Sequence, residues 1–232
     1  MDISNQLEKA AKLLSQGRIW ESQKVYDEVL NFDPECEPAI INKAIIFFRD
    51  KKYTETLNLL SKLKKGNRQV DVKLIEASCF YEIDDLEQSQ SCYNVLSTLV
   101  NENNDLIFRV GLSSMQHGFY LSTVKILGKI DTKKSHSFEK NYYLALAYKG
   151  LGDLSSSIKC FGNAIREKPE SFQLYPLVAS TCFQNNMIDE GDKIMNILKE
   201  KNNAFFQHTA GIVASYRTVS YTHLTLPTSD LV

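Results

Sequence analysis

The sequence predicts an all-α chain built of repeated antiparallel helix pairs, on three observations. Turn-forming residues followed by an apolar side chain recur at a nearly constant interval. Small and large side chains recur in phase with those turns. The 232 residues include only 5 prolines and 10 glycines, and long stretches lack the apolar–polar alternation of strands.

The turns, in order, are Gly17-Arg18-Ile19, Lys51-Lys52-Tyr53, Asp84-Asp85-Leu86, Gly118-Phe119-Tyr120, Gly152-Asp153-Leu154 and Asn186-Met187-Ile188, with starts 34, 33, 34, 34 and 34 residues apart. Each separates a first helix from a second. In the first helices a small residue recurs at Ala10, Ala44, Ala77, Gly111, Ala145 and Ala179, followed three later by Leu13, Phe47, Phe80, Ser114, Tyr148 and Cys182. In the second helices small residues stand at Ser22, Thr56, Ser89, Thr123, Ser157 and Gly191. Large ones follow at Tyr26, Leu60, Tyr93, Leu127, Phe161 and Met195, then Val29, Leu63, Leu96, Ile130, Ala164 and Leu198. Two antiparallel helices approach closely only where one offers a small side chain to a large one on the other. Glycine suits the turn because a helix often ends on a left-handed residue, and proline closes two units at Asp33-Pro34 and Lys168-Pro169.

This pattern resembles the tetratricopeptide repeat family over roughly Ile3 to Thr218. The clearest copies are Gly17-Arg18-Ile19-Trp20 through Val29-Leu30-Asn31-Phe32-Asp33-Pro34, and Leu144-Ala145, Tyr148, Gly152-Asp153, Phe161, Ala164-Ile165 and Pro169. The family's first-helix Trp is absent throughout, its second-helix Ala is replaced by Ser, Thr or Gly, Ser114 stands in place of an aromatic, and Lys51 occupies a turn. Six full units begin near Ile3, Glu37, Val70, Asn104, Phe138 and Phe172, and a seventh first helix spans about Phe206 to Arg217. The resemblance implies a right-handed superhelical solenoid whose first helices line a concave groove.

The last fourteen residues, Val219 to Val232, contain no Lys, Arg or Glu. Val219 to Thr228 is similar to a translated transposase-type sequencing-library adapter, encoded without mismatch by GTCTCTTATACACATCTGACGCTGCCGACG. The expected domain is therefore 3–218, with 219–232 a non-native tail and the gene continuing beyond. An edge strand over Val219-Ser220-Tyr221-Thr222 is the alternative. A solenoid needs a polar terminal cap. Phe205, Phe206, Ile212, Val213 and Tyr216 are expected to lie uncovered, allowing self-association and poor solubility.

Composition narrows the function classes. Lys and Arg total 27 against 28 Asp and Glu, so no basic excess marks a nucleic-acid binder. No apolar run approaches a membrane span, and Met1-Asp2-Ile3-Ser4-Asn5-Gln6 lacks the start of a signal peptide. Cys36, Cys79, Cys92, Cys160 and Cys182 are odd in number, contain no CxxC and sit in apolar surroundings, which predicts small buried thiols in a cytoplasmic protein. Phosphate-binding glycine loops, HExxH and GxSxG are absent, and His117, His136 and His208 share no helical face with metal-ligand partners. Neither cofactor, metal nor catalytic residue is expected. Asp84-Asp85 reads as a cap. Lys62, Lys64, Lys65 and Arg68, like Lys133-Lys134, read as solvated helix-end charge, and Trp20 is expected to pack within the first pair.

The predicted groove is apolar and aromatic, with a few charges. Its candidate binding residues are Ile41, Asn42, Ile45, Phe48, Arg49, Leu74, Tyr81, Phe108, Arg109, Met115, Tyr142 and Lys149, accompanied by Leu7, Ala11, Leu14, Ser78, Asp105, Leu112, Leu146, Pro176, Ser180 and Phe183. Family members that grip chaperone tails use Lys, Asn and Arg there; only Asn42 matches, while Leu7, Ala11, Asp71 and Ile75 depart. An apolar groove suits an amphipathic helix or extended apolar peptide. The expected function is a non-enzymatic protein-interaction scaffold. The alternative is the N-terminal repeat region of a larger enzyme or signalling protein.

Overall fold

The computed structural model describes residues 1–63, 70–101, 103–132 and 135–224, with side chains described to Arg217. Among these residues there are thirteen helices and no strand. The chain divides into two compact units, Met1–Val100 and Asn101–Val232. The first holds α1 (Ile3–Ser15), α2 (Ile19–Phe32), α3 (Glu37–Arg49), α4 (Tyr53–Leu60), α5 (Val70–Glu82) and α6 (Leu86–Leu99). The second holds α7 (Asn104–Gln116), α8 (Tyr120–Leu127), α9 (Ser137–Gly150), α10 (Leu154–Glu167), α11 (Leu174–Gln184), α12 (Ile188–Lys201) and α13 (Asn203–Leu224). Within each unit consecutive helices pack together, and successive first helices also touch, as α3 does α5, α7 does α9 and α11 does α13.

The six turns read from the sequence are the six places where a first helix ends in left-handed backbone. Gly17, Lys51, Asp84, Gly118, Gly152 and Asn186 have φ of 75°, 60°, 64°, 77°, 79° and 58°. Each sits in the same pair of hydrogen bonds: Gly17 N–H donates to the Leu14 carbonyl while Arg18 N–H reaches back to Leu13, and the pattern repeats through Asn186 and Met187. That double bond satisfies carbonyls the helix would leave open. Asp85 caps α6 by accepting from Gln88 N–H at 3.1 Å, as expected, and Asp153 caps α10 through Ser156 N–H at 3.0 Å.

The small and large positions close the core of each pair. Ala10, Ala44, Ala77, Ala145 and Ala179 are buried, as are Tyr26, Leu60, Tyr93, Leu127, Phe161 and Met195 opposite. Where the small residue is glycine, the fit is tighter still. A Cβ at Gly111 would stand 2.3 Å from Leu127 Cδ2, and one at Gly191 would stand 2.3 Å from the Phe183 ring.

Three expectations are corrected, and one alternative is set aside. Trp20 does not pack within the first pair; its side chain is 74% exposed, with Lys24 Nζ 6.0 Å from the ring. Ser180 and Phe183 do not face outward, because α13 closes over α11 and Gly191 admits the Phe183 ring. On α13, Val213 is buried, and Phe205 and Phe206 pack against the cluster of Tyr175, Phe183, Met195 and Leu198. Only Ile212 and Tyr216 of the five stay open, at 64% and 40% exposure. Helix α13 runs to Leu224, so Val219–Thr222 is helix and not an edge strand; residues 225–232 lie outside the described residues.

Candidate functional site

Each of α3, α5, α7 and α9 presents two kinds of surface. The side facing its second helix is closed, whereas the stripe one step around the helix keeps its apolar side chains only half-buried. In the first unit Ile41, Asn42, Ile45 and Phe48 of α3, with Leu74 and Tyr81 of α5, are half-buried, and Arg49 is exposed. Ile41 leans on the cluster of Ile40, Ala44, Leu59 and Leu60. Phe48 meets Tyr53 edge-on at 5.7 Å, and the Tyr53 hydroxyl donates to Glu82 Oε2 at 3.2 Å. These contacts hold the aromatic part of the stripe in place.

In the second unit Phe108, Met115, Tyr142 and Lys149 are half-buried and Arg109 is exposed. Part of this stripe is already engaged. Phe108 stacks on His136 with ring centroids 4.8 Å apart and lies 5.7 Å from Tyr143. Tyr142 stacks on Phe138 and meets Phe161 edge-on. Burial pulls the Lys149 ammonium below its ordinary value.

The sequence missed the arrangement around His136. Its backbone is left-handed at φ 59°, and its Nε2 lies 2.7 Å from Asp105 Oδ1, 31 residues away. Asn104 ties down the same connection. Its amide nitrogen donates to the Asp131 carbonyl at 2.8 Å and to Ser135 Oγ at 3.1 Å, and its oxygen accepts from Asp131 N–H at 3.0 Å. Lys140 Nζ donates to the Ile130 carbonyl at 2.9 Å, beyond the end of α8. No local sequence signal brings residues so far apart together.

Polar chemistry elsewhere is structural. Lys43 pairs with Asp27 between α3 and α2, and Lys73 pairs with the buried Glu76 along α5. None of the five cysteines is in a disulfide; four are buried and Cys160 is half-buried. Burial pushes the Cys79 thiol up to about 12 and the Cys182 thiol up to about 11, the reverse of what a nucleophile needs. Among the described residues no three His, Cys, Asp or Glu side chains are grouped to hold a metal, and no helix is long and apolar enough to cross a membrane. Lys62 is exposed, while Lys64, Lys65, Arg68, Lys133 and Lys134 lie outside the described residues.

No protein-family model matches the sequence, and no curated protein matches it. Solved structures do match in fold. A tetratricopeptide repeat protein from Parabacteroides merdae is 16% identical, with a TM-score of 0.60 over 94% of this chain and 98% of that one. The C-terminal part of a TPR repeat-containing protein from Cytophaga hutchinsonii is 13% identical, with a TM-score of 0.66 over 94% and 89%. YrrB, described as a TPR protein with an unusual peptide-binding site, is 14% identical, with a TM-score of 0.57 over 73% and 88%. The fold is that of a helical-repeat protein. In particular, it is the tetratricopeptide repeat fold, an all-α solenoid of helix pairs.

Proposed function

We propose that this chain is a non-catalytic protein-interaction scaffold that binds a peptide or an amphipathic helix on the first-helix stripes of its units. One observation carries the reading. The stripe through Ile41, Ile45, Phe48, Leu74 and Tyr81 is apolar and aromatic yet only half-covered, while Ala39, Ile40, Ala44 and Ile46 of α3 and Val72, Ala77 and Cys79 of α5 are buried. Half-covered aromatic side chains on rigid helices lose little conformational freedom when a ligand docks, so burying them favours binding at low entropic cost. Asn42 and Arg49 flank the stripe and can fix a ligand's direction through its backbone or an acidic side chain. The peptide-binding site named for YrrB supports the same use of the fold. A cytoplasmic location accords with thiols that form no disulfide.

A displayed random-peptide library selected on the immobilised full chain tests the proposal. Selected peptides are expected to lose at least about tenfold in affinity, roughly 1.4 kcal/mol, on Phe48→Ala/Tyr81→Ala, but not on the exposed control Leu121→Ala. Failure to enrich any peptide, or equal affinity for the double variant and the wild type, would overturn it.

A further inference from the structure

A cleft of about 350 Å³ opens between α11, α12 and α13, lined by Phe183, Met195, Phe206, Ala210 and Val213. The repeat shows why space is left there. Extending the 34-residue interval places Val213 where Ala145 and Ala179 stand, and all three are buried, so the phase of α13 follows that of the earlier first helices. In that phase Ala210 occupies the place of Leu7, Ile41, Leu74, Phe108, Tyr142 and Pro176. Five of the six earlier first helices carry a large apolar side chain at this place, α11 carries the compact ring of Pro176, and α13 carries a methyl group. Ala214 adds little bulk beside it, at a place that holds Leu112 in α7 and Leu146 in α9 but Ser78 in α5 and Ser180 in α11. The next residue along the stripe, Arg217, reaches sideways to Asp192, its Nη2 2.8 Å from Oδ2, and forms a charged rim.

We infer that this cleft is a binding site for the aromatic side chain of a partner polypeptide, supplied in trans where the chain's own large side chain is missing. The volume falls at the lower end of ligand-sized clefts. In the second unit the residues at the place of Ala210 include the rings of Phe108 and Tyr142, so this helix geometry accommodates a ring. The walls favour a ring over an aliphatic chain. Phe183 and Phe206 offer ring edges and faces, and the Met195 thioether makes sulfur–aromatic contacts. The Arg217 guanidinium complements the negative face of a ring, which an aliphatic group lacks. The inference does not rest on the docking stripes of α3 and α5, which lie in the other unit.

The test uses the full chain with methyl-labelled methionine, titrated with N-acetylphenylalaninamide, N-acetylleucinamide and N-acetylalaninamide. The phenylalanine amide is expected to shift the Met195 methyl resonance saturably, with a Kd on the order of millimolar. The leucine amide is expected to bind several-fold more weakly, and the alanine amide to leave the resonance in place. Ala210→Phe, which fills the cleft from within, is expected to abolish the shift and raise the melting temperature. Ala214→Leu gives the same reading where the bulkier variant fails to fold. An unmoved Met195 methyl, equal shifts from the leucine and phenylalanine amides, or unchanged binding in a folded filled variant would each overturn the assignment. The wild-type titration decides the matter even if both variants unfold.

Discussion

Pairs one, three and five of the solenoid differ from pairs two and four in how a hydroxyl is used and how far the second helix runs. In the odd pairs the small residue of the second helix is serine. Ser22, Ser89 and Ser157 each donate across the pair to the carbonyl of Ala10, Ala77 or Ala145, always at 2.8 Å. Their second helices α2, α6 and α10 are each 14 residues long. In pairs two and four the residue is threonine. Thr56 and Thr123 turn back to carbonyls of their own helices, at Lys52 and Phe119, and α4 and α8 are only 8 residues long. A second substituent on Cβ restricts the threonine rotamer and lets Oγ1 reach the preceding turn, so the bond to the first-helix carbonyl is not made, although Thr123 Oγ1 still lies 2.8 Å from Ser114 Oγ across its pair. The core is nevertheless completed. Leu63 and Ile130 are buried although they lie past the ends of α4 and α8, just as Val29, Leu96 and Ala164 are inside longer helices. The apolar position outlasts the helix that usually carries it, which shows that packing sets the pattern and helix length yields to it.

Three experiments would break or sharpen that contrast. The largest effect is expected at the glycine of pair four. Gly111→Ala would normally aid a helix by up to about 1 kcal/mol. Here its Cβ meets Leu127 at 2.3 Å, and overpacking should leave a net loss of about 1–3 kcal/mol. Urea denaturation reads this directly, and a raised midpoint would show that α8 gives way freely.

Next comes the turn residue. Lys51 in pair two holds φ at 60° where pair five has Gly152 at 79°. Lys51→Gly should stabilise by about 1 kcal/mol, and Gly152→Ala should cost a similar amount, because an L side chain is disfavoured in left-handed backbone. If thermal melting shows both changes to be neutral, the two turns are not equivalent.

The smallest effect concerns the hydroxyls themselves. Ser89→Ala removes the cross-pair bond to Ala77 and should cost about 0.5–1.5 kcal/mol. Thr56→Ser keeps an own-helix acceptor within reach and should stay within about 0.5 kcal/mol. Equal losses would mean that the cross-pair bond contributes no more than the local one.

The repeat was legible because its determinants are local. A left-handed helix end, a small residue five positions on and a large one nine positions on recur within one pair, so the sequence displays them without knowledge of any other pair. Positions that depend on two or more pairs were not legible. Phe183 reads as a groove residue from its helix phase, yet it is buried because Gly191 admits its ring and α13 covers it. Trp20, a large apolar residue just past a turn, reads as core but lies on an outer edge that no helix of its unit covers. Of the candidate binding stripe, the residue types and helix phase were readable. The stacking of Phe108 on His136 was not, because it depends on a loop from 28 residues further along folding back.

By itself, then, the amino-acid order determined the fold class, the positions of the six turns and which side chains face each other inside a pair, because backbone φ preference and small-to-large complementarity act over fewer than twenty residues. The tertiary structure alone decided where helices stop short, which stripe residues remain open to a ligand, and where Ala210 leaves a cleft. Those features arise from the packing of at least three helices, and whether a side chain is covered depends on neighbours that its own local sequence does not specify.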